Sequence, residues 1–208
     1  MNDLLIIGSG GHSRAVIATL LESKIWKLVG IIDLAYKDIK EDILGVPIIG
    51  SLEKLHSYSA QSTSIFLALG SNEIRKSLSH NPIIKNFKLV NVIHSKAHVD
   101  PSSYIGAGSF IGPFAHIGPK VIIGSSNIIN SYANVEHESV IGHFSQLGPG
   151  ATICGRCNIG NSVFIGANAT IIPNLTIEDS NIIGSGAVIN TSISVTGKTF
   201  VGVPGKSL

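Results

Sequence analysis

The sequence predicts two folds in series: a small doubly wound, Rossmann-like α/β domain over residues 1–90, then an all-β β-helix over residues 91–208. The first is read from a strand, a glycine-rich turn and a helix in succession at LLIIGSGGHSRAVIATLLES (4–23). The second is read from an aliphatic residue at every sixth position from Ile93 to Val195. A third observation is that hydrophobic residues make up 44% of the chain, yet no window nears the roughly 18 unbroken apolar residues of a membrane span. The apolar excess therefore belongs to a core, and in part to contacts between subunits.

Residues 4–7 (LLII) predict a buried strand. SRAVIATLLES (13–23) predicts a helix with Val16–Leu20 and Ile17–Leu21 pairs on one face. LVGIID (28–33) predicts a second strand ending in Asp33, and SIFLALG (64–70) and FKLVNVI (87–93) predict two more. Between the first strand and the helix, Gly8-x-Gly10-Gly11 offers backbone N–H groups to an anion at the helix N-terminus, unless it is only a tight turn that needs glycine. The dinucleotide fingerprint expects a third glycine where this chain has Ser13, and a unit of about 90 residues is half of a two-lobed dinucleotide fold. A mononucleotide or a nucleotide-sugar phosphate fits the turn better than NAD.

All eighteen positions of the six-residue series are Ile, Val or Leu, and glycine directly follows nine of them. No α-helix or ordinary strand has that period. In a β-helix the aliphatic residue points into a narrow prism, and glycine or another small residue makes the corner. The run resembles the left-handed hexapeptide-repeat acyltransferases, whose coils hold three hexads each, so residues 18 apart stack. His137 then stands two places after the inward Val135, in the column Pro101, Pro119, His137, Gly155, Pro173, Thr191. The glycine above it predicts a notch through which a ligand approaches the imidazole. Glu138 falls in the column Lys120, Glu138, Arg156, Asn174, which also predicts a surface charge ladder.

Other side chains point away from metal chemistry. Cys154-Gly-Arg-Cys157 lacks two further zinc ligands, and its thiols should diverge, with Cys157 filling the core. His98 and His116 should stack in one column, while His137 and His143 lie at turns of different faces. No third histidine completes the metal pattern of a γ-carbonic-anhydrase-like β-helix, so no metal is expected. The formal net charge of +2, with no basic stripe, argues against nucleic acid. MNDLLIIGSGG lacks a basic n-region, and two cysteines make no disulfide framework, so a cytoplasmic setting is expected.

Both halves together resemble the bacterial nucleotide-sugar N-acetyltransferases and their sialic acid O-acetyltransferase relatives. The segments that carry the likeness are IIGSGGH (6–12), ALGSNEIRKSL (68–78), NVIHSKAHV (91–99), VEHESVIGHFS (135–145), VFIGANATIIPNLTIEDSNIIGSGAVI (163–189) and VGVPGK (201–206). The resemblance implies acetyl-CoA as co-substrate, a homotrimer with acetyl-CoA in the clefts between subunits, and a nucleotide-sugar held by the first domain. It makes His137 the general base and Glu138 its partner. It assigns Gly10, Gly11, His12, Asp33, Gly70, Ser71 and Asn72 to the nucleotide-sugar, and Gly155, Ala167 and Ser185 to coenzyme A. Many relatives carry a second, donor-holding histidine where this chain has Gln146, which keeps a hydrogen-bond donor but no acid–base function. A UDP-4-amino-4,6-dideoxy sugar is the expected acceptor. A sialic acid hydroxyl is the rival, and His137 would serve either.

Overall fold

The computed structural model describes residues 2–37 and 41–208. The chain divides into two compact units, one reaching to Val92 and the other running from Ile93 to Leu208. The first contains β1 (Asp3–Ile7), α1 (Gly11–Ser23), β2 (Lys27–Ile32), β3 (Asp42–Ile43), β4 (Val46–Gly50), a 3-10 turn (Leu52–Ser57), β5 (Thr63–Leu67), α2 (Asn72–Ser79), α3 (Pro82–Lys85) and β6 (Lys88–Leu89). Its sheet runs β3-β4-β2-β1-β5-β6, parallel except for the β3–β4 pair.

Leu4–Ile7 and all of β5 are buried, as central strands of a parallel sheet covered on both faces must be. The chain steps from β1 to β2 on one side and returns to β5 on the other. The ends of β1 and β5 therefore bound the switch point where such sheets open a crevice. That topology sets the loop after β1 beside the loop after β5: the Ala68 N–H donates to the Ile7 carbonyl at 2.8 Å.

Four elements differ from expectation. Helix α1 starts at Gly11, and its buried stripe is Val16, Ile17 and Leu20; Leu21 is 43% exposed. Leu21 sits about 40° beyond Ile17 around the helix axis, past the edge of the covered stripe. FKLVNVI splits into β6 and a separate short strand, Val92–Ile93. The β3–β4 hairpin and helix α2, capped by the Ser71 hydroxyl accepting from the Ile74 N–H at 3.3 Å, carry no periodic signal strong enough to predict.

The second unit is a left-handed parallel β-helix with three faces of two-residue strands. Face one runs from Phe110–Ile111 to Ile182–Ile183, face two from His98–Val99 to Val188–Ile189, and face three from Tyr104–Ile105 to Thr176–Ile177. Neighbouring strands pair 18 residues apart, as in Ile117↔Val135↔Ile153. The aliphatic series fills the prism from Ile111 to Ile189, with Cys157 inside and Cys154 partly exposed. Its two ends do not. Ile93 is 41% exposed and Val195 49%. Near the C-terminal end the register slips: Ile193, 16 residues after Ile177, forms the bridge and is buried in the place expected for Val195.

Glycine has a different purpose from the one its position suggests. The corner itself is made three residues after the inward position, where Phe114, Lys120, Tyr132, Glu138, Arg156 and others adopt left-handed backbone with φ of 55–64°. The glycine directly after the inward residue meets the next coil instead. A Cβ on Gly166 would lie 2.5 Å from the Ser185 nitrogen, so only a bare Cα lets the coils approach. Among the described residues, no helix is long and apolar enough to cross a membrane.

Candidate active site

The corner after Val135 gathers three charged or titratable side chains. The His137 Nδ1 lies 3.3 Å from Glu138 Oε2, and the same oxygen accepts from Arg156 Nε at 2.8 Å. Because the carboxylate only accepts, Nδ1 carries the proton in the neutral ring and Nε2 the lone pair, which is the tautomer a general base needs. Arg156, and then His137, hold the Glu138 carboxyl below the usual carboxylate range, so it is ionised at neutral pH. The predicted charge ladder and the predicted His–Glu pair are thus one arrangement.

The Gly155 notch exists, but the imidazole fills it. A Cβ on Gly155 would stand 2.5 Å from His137 Nε2 and 2.6 Å from Cε1. The ring thus lies in the space that a side chain on the coil above would occupy. A substrate therefore reaches the ring from its solvent side, which is half exposed at 51%.

The residues assigned to coenzyme A are not brought together within one chain. Gly155 is at the corner between faces two and three, with His137. Ala167 and Ser185 stack 18 apart at the corner between faces one and two, and Gln146 is a half-buried outward residue of face one. His143 lies at the third corner, where its Nδ1 accepts from the Ser125 N–H at 3.0 Å. His98 and His116 stack, with centroids 5.1 Å apart. Among the described residues, no group of three or more His, Cys, Asp or Glu is placed to hold a metal ion.

In the first unit Gly10, Gly11 and His12 follow β1 and Gly70, Ser71 and Asn72 follow β5, at the switch point, whereas Asp33 follows β2; a Cβ on Gly70 would lie 3.9 Å from the His12 Cβ. Gly8, at φ +108°, passes so close to Leu69 that a Cβ would meet its side chain at 2.7 Å. Gly10 and Gly11 face open space. The His12 Nε2 is shielded from solvent; burial and then the Arg75 charge lower its pKa to about 4, so the ring is neutral. Arg75, 1% exposed, donates to the Leu69 carbonyl and to Asn72 Oδ1, each at 2.8 Å, and burial lowers it to about 10.

Asp33 is largely occupied. Its Oδ2 accepts from both the N–H and the hydroxyl of Ser9, and its Oδ1 accepts from the Ala35 N–H at 2.8 Å. Burial by itself would raise this carboxyl, but the hydrogen bonds from Ser9 and Ala35 outweigh it and hold the group low. A cavity of about 150 Å³ opens beside Ser9, Asp33, Tyr36 and Lys37, and one of about 510 Å³ lies between Leu34 and the α2 residues Glu73, Ile74 and Ser77. Sequence reasoning missed Ser9, Arg14 and Arg75.

The family model of the PglD N-terminal domain matches residues 3–81, and that of the bacterial transferase hexapeptide matches residues 102–137 and 156–191. PerB from Caulobacter crescentus, solved with CoA and GDP-perosamine, is 32% identical; the superposition covers 100% of this chain and 98% of that one, with a TM-score of 0.91. The acetyltransferase domain of PglB from Neisseria gonorrhoeae, solved with acetyl coenzyme A, is 31% identical over 100% of this chain and 99% of that one, also at 0.91. An uncharacterized protein, L142, of Acanthamoeba polyphaga mimivirus is 34% identical over 109 residues, and the match spans a fifth of that curated relative's length. With both halves and their order matched, the chain belongs to the nucleotide-sugar N-acetyltransferase family of hexapeptide-repeat acetyltransferases that carry a PglD N-terminal domain.

Proposed function

We propose that the protein transfers the acetyl group of acetyl-CoA to the amino group of a nucleotide-linked amino sugar, with a UDP-4-amino-4,6-dideoxy sugar as acceptor. The observation that carries this reading is the His137–Glu138 pair, which leaves the Nε2 lone pair at a half-exposed corner. A sugar amine is mostly protonated at neutral pH and reacts as its free base, after one proton has gone to solvent; the neutral amine then loses a second proton as it attacks the thioester carbonyl. His137 Nε2 accepts that proton while Glu138 stabilises the imidazolium. As the tetrahedral intermediate collapses, the C–S bond breaks and the proton passes to the departing thiolate. The Gly155 N–H, which meets no acceptor among the described residues, is the donor for the oxyanion. Gly10, Gly11, His12, Gly70, Ser71 and Asn72 form the wall for the nucleotide-sugar. The split of Gly155 from Gln146, Ala167 and Ser185 over different corners supports a homotrimer in which two copies share each acetyl-CoA.

The test is release of coenzyme A thiol from acetyl-CoA, with the UDP-linked 4-amino sugar and GDP-perosamine as separate acceptors. Release with either acceptor, falling about 10²-fold or more in His137→Ala, supports the reading. Release unchanged in that variant would remove His137 as the base. Release with GDP-perosamine alone would keep the reaction and reject the uridine nucleotide.

A further inference from the structure

We infer that Ser9 and Arg14 are positioning residues that clamp the loop after β1 from both sides, and that Asp33 acts through Ser9 instead of touching the ligand. This rests on the proposed nucleotide-sugar reading. On one side, Asp33 Oδ2 accepts from the Ser9 N–H at 2.9 Å and from the Ser9 hydroxyl. On the other, Arg14 reaches back from the first turn of α1, and its Nη1 donates to the Ser9 carbonyl at 3.1 Å and to the Gly10 carbonyl at 2.9 Å. The Ser13 hydroxyl also donates to the Gly10 carbonyl, at 2.6 Å.

A trans peptide points its carbonyl and N–H in opposite directions. Drawing the Ser9 and Gly10 carbonyls toward Arg14 therefore turns the Gly10 and Gly11 N–H groups away from it. Among the described residues those two N–H groups meet no acceptor, and Cβ atoms on either glycine would touch nothing within 4 Å. Neither glycine is demanded by contacts within the unit. Both suit a ligand that must approach the backbone closely, and the diphosphate of the nucleotide-sugar is the part that two aligned N–H groups at a helix N-terminus recognise. An ionised carboxylate offers about four acceptor positions. Ser9 and Ala35 take three of those on Asp33, so its main task is to fix Ser9.

The experiment measures equilibrium binding of UDP and of GDP to the full chain, together with the KM for the acceptor and for acetyl-CoA, in Ser9→Ala, Arg14→Gln and Arg14→Lys. Weaker nucleotide binding and a rise in acceptor KM of roughly three- to tenfold are expected for Ser9→Ala and Arg14→Gln. The KM for acetyl-CoA and kcat at saturation should stay at the parent values, and Arg14→Lys should recover part of the loss. Parental nucleotide affinity in Ser9→Ala and Arg14→Gln would overturn the clamp, as would both KM values moving together, the mark of a general structural defect. A parent protein that binds neither nucleotide and acetylates no nucleotide-sugar would overturn the proposed function itself, a different result from parental binding with indifferent variants.

Discussion

His137 and His143 occupy the same place on successive corners, two residues after the inward Val135 and Ile141, yet their imidazoles are wired in opposite senses. At His143 the residue 18 positions earlier is Ser125, whose N–H donates to Nδ1, so the proton sits on Nε2 and the ring has no lone pair to offer. At His137 that residue is Pro119, which has no N–H, and Nδ1 turns its proton to Glu138 instead. The residues 18 later differ as well. The Asn161 side-chain oxygen accepts from the His143 backbone N–H at 2.8 Å, whereas Gly155 has no side chain and makes room for the His137 ring. Which ring nitrogen of a histidine in this lattice is left with a lone pair is decided by its neighbours in the adjacent coils.

The largest effect that would break this contrast is on chemistry. His137→Ala should lower acetyl transfer by about 10²- to 10⁴-fold in the thiol-release assay. His143→Ala should leave the rate within a few fold and lower stability by about 1 kcal/mol in denaturant unfolding, from the lost Ser125 bond. Equal losses of activity would erase the distinction. Gly155→Ala comes next. Its methyl would displace the His137 ring, and a drop of about 10- to 100-fold in kcat is expected with the fold intact by circular dichroism.

His12, a third histidine, sharpens the comparison by pH. Its folded pKa of about 4 lies below the ordinary 6.5, so the unfolded chain takes up the proton first as pH falls. Its contribution is full above 6.5 and is lost between 6.5 and 4, by about 3 kcal/mol at most. Unfolding of His12→Gln should lack that decline. Pro119→Ala, which restores an N–H beneath His137, should compete with Glu138 for Nδ1 and lower kcat by about fivefold, the equivalent of one hydrogen bond. The smallest effect expected is for Arg156→Gln: Glu138 loses its main support and the acid limb of the pH–rate profile moves to higher pH.

The β-helix was legible because one physical demand, an aliphatic side chain in a narrow prism, repeats without interruption from Ile111 to Ile189. The surroundings of His137 were legible for the same reason, since the period fixes which residues stand above and below it. The period could not reveal its own end. Ile193 takes the place of Val195 because the chain shortens its last turn, and both residues are equally apolar. Nor could it reveal why glycine recurs, since close approach between coils and left-handed corners both favour that residue. In the first unit, Asp33 and Gly10 stood out by type and position. Ser9 and Arg14 did not, because a clamp made of a serine and a helix-surface arginine leaves no pattern in one dimension.

The slip at Ile193 has a consequence beyond register. A stack of identical coils ends in three rows of open backbone groups, on which another stack could grow without limit. Here the shortened turn sets Ile193 against Ile177, Thr199–Val201 pairs with Ile182–Ile183 and folds back on Lys206–Ser207, and the Gly205 N–H donates to the Val188 carbonyl at 2.7 Å. Each face thus ends on backbone that runs out of step with the repeat. A periodic stack is stopped at finite length by one aperiodic segment.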